Sequence, residues 1–181
     1  MKYWRLIVFV LLALVQLAVP GSLIWKREQT LRHGSVWKFR TAPVDPVDAF
    51  RGRYVALRFD AETQQISPPP NAGYSDTVFI TLKQNAEGFA EIDQVSLSRP
   101  ARDDFMEARL SGTTIALPFE TYWVTERAAS AAEAAYRNLS RRDKQNAFAA
   151  IRVFRGDAAI EQLYLDNLPL GEYLRNSSAP K

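Results

Sequence analysis

Asp45, Asp48, Arg51, Arg53 and Tyr54 crowd one short stretch, TAPVDPVDAFRGRYVALRF. Two carboxylates beside two guanidinium groups and a phenol either neutralise one another as a surface ion-pair network or present charge to a ligand or partner. The local pattern accounts for part of the stretch without any ligand. Asp45 before Pro46, with Asp48 three places on, reads as a short helical turn: a side-chain cap, a proline at the first helical position and an acid over the exposed amides. Gly52 is its natural stop, because a residue lacking Cβ closes such a turn cheaply. A strand then starts at Arg53, and alternation predicts Arg53, Val55, Leu57 and Phe59 on one face with Tyr54, Ala56 and Arg58 on the other. Pro46, Gly52, Leu57 and Phe59 are thus structural, and a polar surplus remains as a candidate binding surface.

The elements that must carry this stretch begin at a hydrophobic N-terminus. After Lys2 and Arg5 the chain is apolar from Leu6 to Val19 apart from Gln16, resumes at Leu23, Ile24 and Trp25, and stops at Lys26 and Arg27. Residues 6–25 approach the ~20 residues needed to cross a hydrocarbon core. A cleaved signal peptide has the same outline, but Ala18-Val19-Pro20 puts proline at the cut, so an uncleaved single-pass anchor is expected. The very short basic tail favours an outward-facing domain, in the periplasm of a Gram-negative cell. The chain has a formal charge of +3, yet removing Lys2, Arg5, Lys26 and Arg27 from its 23 basic residues leaves 19 against 20 acidic ones. The basic character belongs to the anchor, which argues against a nucleic-acid partner. One histidine, His33, and no cysteine argue against a zinc or haem site, a thiol nucleophile and a disulfide. No cofactor, metal or catalytic residue is expected.

WKREQTLRHGS predicts a helix continuing out of the anchor, with Gly34 as its stop and His33 in its last turn. Beyond it the dominant period is two: SVWKFRT, YVALRF, TVFITLK, FAEIDQVSLS, EARLSG and TTIALPF read as strands, and SPPPNAGYSD reads as a surface loop. An alanine-rich helix is predicted from about Thr125 to Arg142, capped by Thr125, with Ala128, Ala131, Ala132, Ala135 and Leu139 as its apolar stripe. NAFAAIRVF and AAIEQLYL follow, joined at Gly156-Asp157, and Asp166-Asn167 turns toward LPLGEYL. The expected fold is mainly β with one late α-helix, an antiparallel barrel or sandwich behind the transmembrane helix. Residues 1–33 would be anchor and juxtamembrane helix, 34–175 the extracytoplasmic domain and 176–181 a disordered tail.

The pattern P-x-D-P-x-D-x-F-R-G-x-Y-V-x-L-x-[YF], preceded by a membrane anchor and a K-R-E-x-T-L-x-x-G segment, resembles the GDYXXLXY family of bacterial membrane-anchored proteins. FETYWVTER resembles that family's acidic and aromatic strand ahead of its helix, and LYLDNLPL its closing hairpin. The resemblance covers the chain from Trp25 to about Leu170. It places the signature on Gly52, Tyr54, Leu57 and Phe59, with Pro46, Asp48 and Arg51 upstream and Glu120, Tyr122 and Glu126 downstream. Arg53 stands where the family has aspartate and Phe59 where it usually has tyrosine. The acid-to-base reversal speaks against a general acid or metal ligand at that position. The resemblance implies a compartment and an architecture without an assigned reaction, and companionship with polytopic inner-membrane proteins.

Two function classes follow. One is an accessory domain that docks a membrane or envelope partner through the stretch from Asp45 to Tyr54 together with Glu120, Tyr122 and Glu126. The other is an envelope hydrolase in which Asp48, Glu120 and Glu126 supply a carboxylate acid/base pair. The second lacks a nucleophile elbow, metal-spaced histidines and a phosphate loop.

Overall fold

Lys2–His33 forms a single helix, α1, in a computed structural model that describes residues 2–42, 54–140 and 146–178. Its apolar part is long enough to cross a membrane and none of it is buried. The helix runs through Pro20, beyond which the Ser22 hydroxyl donates to the Val19 carbonyl at 2.7 Å, the kind of side-chain bond that satisfies backbone in an apolar setting. The last turns of α1 belong to the globular domain. Thr30 and Gly34 are buried, the Gly34 amide donates to the Thr30 carbonyl at 2.9 Å, and Arg152 Nη1 donates to the Gly34 carbonyl at 3.1 Å. Gly34 is required by space: a Cβ there would lie 2.4 Å from the Thr30 oxygen.

The strands are β1 (Ser35–Ala42), β2 (Tyr54–Ala56), β3 (Arg58–Phe59), β4 (Thr77–Gln84), β5 (Ala90–Ser96), β6 (Phe105–Ser111), β7 (Thr114–Ala116), β8 (Thr121–Trp123), β9 (Ala147–Phe154), β10 (Asp157–Leu165) and β11 (Leu168–Pro169). Helix α2 (Glu126–Leu139) falls between β8 and β9, and α3 (Leu170–Ser178) follows β11. The sheets run β11-β10-β9-β1-β3 and β5-β4-β6-β7, with β2-β8 as a separate ribbon. Their strand pairings are antiparallel, and a parallel bridge between Met106 and Gly156 ties the two larger sheets together. The protein is therefore mostly β, a curled antiparallel sheet behind an apolar N-terminal helix.

The alternation expected after Arg53 holds through Phe59: Val55, Leu57 and Phe59 are buried, whereas Ala56 and Arg58 are exposed. One continuous strand was expected, and two short ones form. Tyr54–Ala56 pairs with β8 and Arg58–Phe59 with β1; Leu57 marks the change of partner, its amide donating to the Glu120 carbonyl at 2.7 Å. Phe59 meets Phe39 and Phe119 edge-on, with ring centroids 5.8 and 5.2 Å away, the geometry that aromatic quadrupoles favour.

Local chemistry explains the other departures. Phe154 pairs with Asp157 across Arg155 and Gly156, both at positive φ, so the two-residue hairpin turn sits one residue earlier than expected. Asp166 and Asn167, also at positive φ, make the second hairpin where predicted. LPLGEYL, expected as its return strand, gives only two strand residues before α3, whose Leu170 is buried while Tyr173 and Leu174 pack on the core; this spacing of i, i+3, i+4 is helical. The helix reaches Ser178, into the expected tail, and residues 179–181 lie outside the described residues. Helix α2 begins after Thr125 as expected, but the Thr125 hydroxyl makes no cap bond, and the helix ends at Leu139; Arg141 and Arg142 lie outside the described residues. Its buried face is Ala129, Ala132, Tyr136 and Leu139, with Ala131 exposed. Tyr136 sets that rotation: its hydroxyl donates to the Ala42 carbonyl at 3.2 Å, and burial pushes its pKa up to about 12.

Candidate functional site

Of the described members of the predicted site, Tyr54 and Tyr122 lie on opposite faces of the β2-β8 ribbon, and Glu120 and Glu126 stand at either end of β8. Tyr54 pairs with Trp123 and Val55 with Tyr122, and paired residues of an antiparallel ribbon share a face. One face carries Tyr54 and Trp123, their rings 5.4 Å apart and tilted edge to face. The other carries Val55, fully buried, and Tyr122, half-buried against the core. Burial raises the Tyr122 pKa, opposed by hydrogen bonding with the Leu163 backbone and the Gln162 side chain. The phenol thereby ties β8 to β10. Glu120 precedes β8 and Glu126 opens α2, both exposed. Asp45, Pro46, Asp48, Arg51, Gly52 and Arg53 lie outside the described residues. The segment that carries them leaves β1 at Ala42, beside Tyr136, and returns at Tyr54 on the ribbon.

A cleft of about 400 Å³ opens along this ribbon, lined by Arg27 and Leu31 of α1, Thr121, Tyr122 and Trp123 of β8, and Ile160 and Glu161 of β10. Its position follows from two local features. The close approach at Gly34 holds α1 against β9, and a β-bulge shifts the β9–β10 register between Ile160 and Gln162. The bulge leaves Glu161 as the extra residue, and bulges re-aim side chains in this way. Glu161 accepts from Arg152 Nη2 at 2.9 Å. The Arg27 side chain, by contrast, makes no hydrogen bond or ion pair among the described residues. Trp123 is 65% exposed at the rim.

Two carboxylates that the sequence reading passed over lie in the 3-10 turn Asp60–Thr63, directly after Phe59. Glu62 accepts from the Phe59 amide at 3.1 Å and the Leu117 amide at 3.3 Å. Burial raises its pKa above the ordinary glutamate value; the two amides and Arg58 oppose this, and the nearby Glu120 charge adds to it. Burial also raises Asp60, with Arg40 opposing. Both amide bonds make Glu62 a brace between β3 and the end of β7. The only sequence sign of it was an acid three places after a strand end. An acid/base mechanism needs carboxylates that converge on one point. The Glu120 charge acts on Glu62, which both amides already hold; Glu126 stands at the other end of β8, and the carboxylate of the cleft, Glu161, is held by Arg152.

The family model described as GDYXXLXY protein matches residues 16–163. No curated protein and no solved structure matches the chain.

Proposed function

Since the chain belongs to the GDYXXLXY family, we propose that it is a membrane-anchored accessory domain on the periplasmic side of a bacterial inner membrane, where it docks a polytopic membrane protein or another envelope partner. Residues 34–175 act as one domain, and the segment from Asp45 to Arg53 together with Tyr54, Glu120, Tyr122 and Glu126 forms the docking surface. The observation that carries this reading is the continuity of α1 into the fold. Lys26–His33 adds about 12 Å of helix beyond Trp25, and the Arg152 bond to the Gly34 carbonyl, with the close approach of Gly34 to β9, fixes that helix to the sheet. The domain is thereby held close to the bilayer surface, with the β2-β8 ribbon flanking the helix that emerges from it.

Photo-crosslinking in native membranes tests the reading. A photoreactive residue in place of Tyr54 or Trp123 should give discrete adducts with an integral membrane or envelope protein. One in place of Tyr74, also strongly exposed but in the loop before β4, should not. Adducts from Tyr74 alone, or none from any position in membranes that retain the protein, would refute the docking surface.

A further inference from the structure

We infer that the cleft between α1, β8 and β10 binds the anionic phosphodiester headgroup of a phospholipid, with Arg27 holding the phosphate. This deepens the anchoring proposed above and rests on it. Four observations meet at the cleft. Arg27 lies two residues, about 3 Å of helix rise, beyond Trp25, where the apolar run ends; it therefore stands at headgroup depth when α1 spans the bilayer. Glu161, the carboxylate that lines the cleft, is paired with Arg152 at 2.9 Å, which leaves the guanidinium of Arg27 as the lining charge available to an anion. Trp123 is exposed at the same rim, and tryptophan is the residue that membrane interfaces favour. Finally, about 400 Å³, lined in part by Leu31, Ile160 and Thr121, lies in the size range of small-ligand sites. A cation in a pocket beside a membrane-spanning helix has the chemistry that captures a phosphate headgroup, and a guanidinium forms bidentate bonds with phosphate.

The test uses the full chain purified from membranes in mild detergent, with phosphatidylglycerol as the probe and native mass spectrometry as the readout. Intact mass and membrane fractionation first establish that the anchor is present. The wild type should retain phosphatidylglycerol in a one-to-one complex. Arg27→Gln should weaken retention at least about tenfold. Lys26→Gln should not, because Lys26 neighbours Arg27 in sequence but does not line the cleft. Equal retention by Arg27→Gln, equal loss in Lys26→Gln, or no retention by the wild type would overturn the headgroup site. Displacement of the lipid by soluble glycerophosphate at comparable concentration would assign the cleft to a free phosphate ester and overturn the lipid source. A chain recovered cleaved and soluble would instead sink the anchoring reading itself.

Discussion

Replacing Gly34 by alanine tests the joint on which both functional readings depend. The added Cβ would lie 2.4 Å from the Thr30 carbonyl oxygen and 3.1 Å from both the Arg152 Cβ and the Val153 amide nitrogen. Reaching an ordinary contact distance requires a displacement of about 1 Å. The oxygen belongs to the last turn of α1 and the nitrogen to the middle of a sheet, so neither can rotate away as a side-chain tip would. Overpacking of this kind costs about 1–3 kcal/mol. Moving Thr30 also weakens the 2.9 Å bond from the Gly34 amide, worth about 1 kcal/mol. The sum is about 2–4 kcal/mol, or a fall in melting temperature of about 10 °C for a domain of this size. Near-UV circular dichroism of the detergent-solubilised chain measures the melt. A second readout separates global destabilisation from detachment of the helix: the chain has no native cysteine, so spin labels introduced at Glu28 and Asp157 report the joint alone. Their distance distribution should broaden in Gly34→Ala. A melting shift below about 2 °C with an unchanged distribution would refute a tightly packed joint.

Tyr136→Phe removes the hydroxyl that joins α2 to the Ala42 carbonyl and should cost about 1 kcal/mol, read as a melting shift of a few degrees; an unchanged melt would show the bond to be dispensable. For Glu62 the sign follows from its raised pKa: the folded state holds the proton more tightly, so the stabilisation is complete below the ordinary value of 4.5 and is lost as pH rises through the folded value. Melting temperature plotted against pH should therefore carry a downward contribution just above pH 4.5 that disappears in Glu62→Gln, and parallel curves for the two proteins would contradict it. At the site itself, Gly52→Ala should cost the fold on the order of 1 kcal/mol or more, whereas Arg51→Gln should leave the melt nearly unchanged and weaken capture of the crosslinked partner; equal unfolding by both would mean that the polar cluster is structural.

Local properties of the chain determined a good part of this protein. The apolar run of α1, most of the period-two strands, the Asp166-Asn167 turn and the inward set Val55, Leu57 and Phe59 each depend on a residue's own preference and on its neighbours one to four places away, and these are present as read. The family signature was legible for the same reason. Its apolar members fill the core beside Phe39 and Phe119, where packing dictates residue type. Tertiary structure decided what depends on partners distant in sequence. The exchange of strand partners at Leu57 arises because β8, some sixty residues on, competes with β1 for the same backbone. The rotation of α2 follows from Tyr136 reaching the end of β1. Glu161 enters the cleft because the β9–β10 ladder slips by one residue there, and a bulge leaves no mark in a strand's own composition. Arg27 and Trp123 line one cleft because Gly34 lets α1 lie against β9. A side chain's neighbours across such a gap are set by the balance of packing over the whole sheet, and no window of the sequence contains that balance.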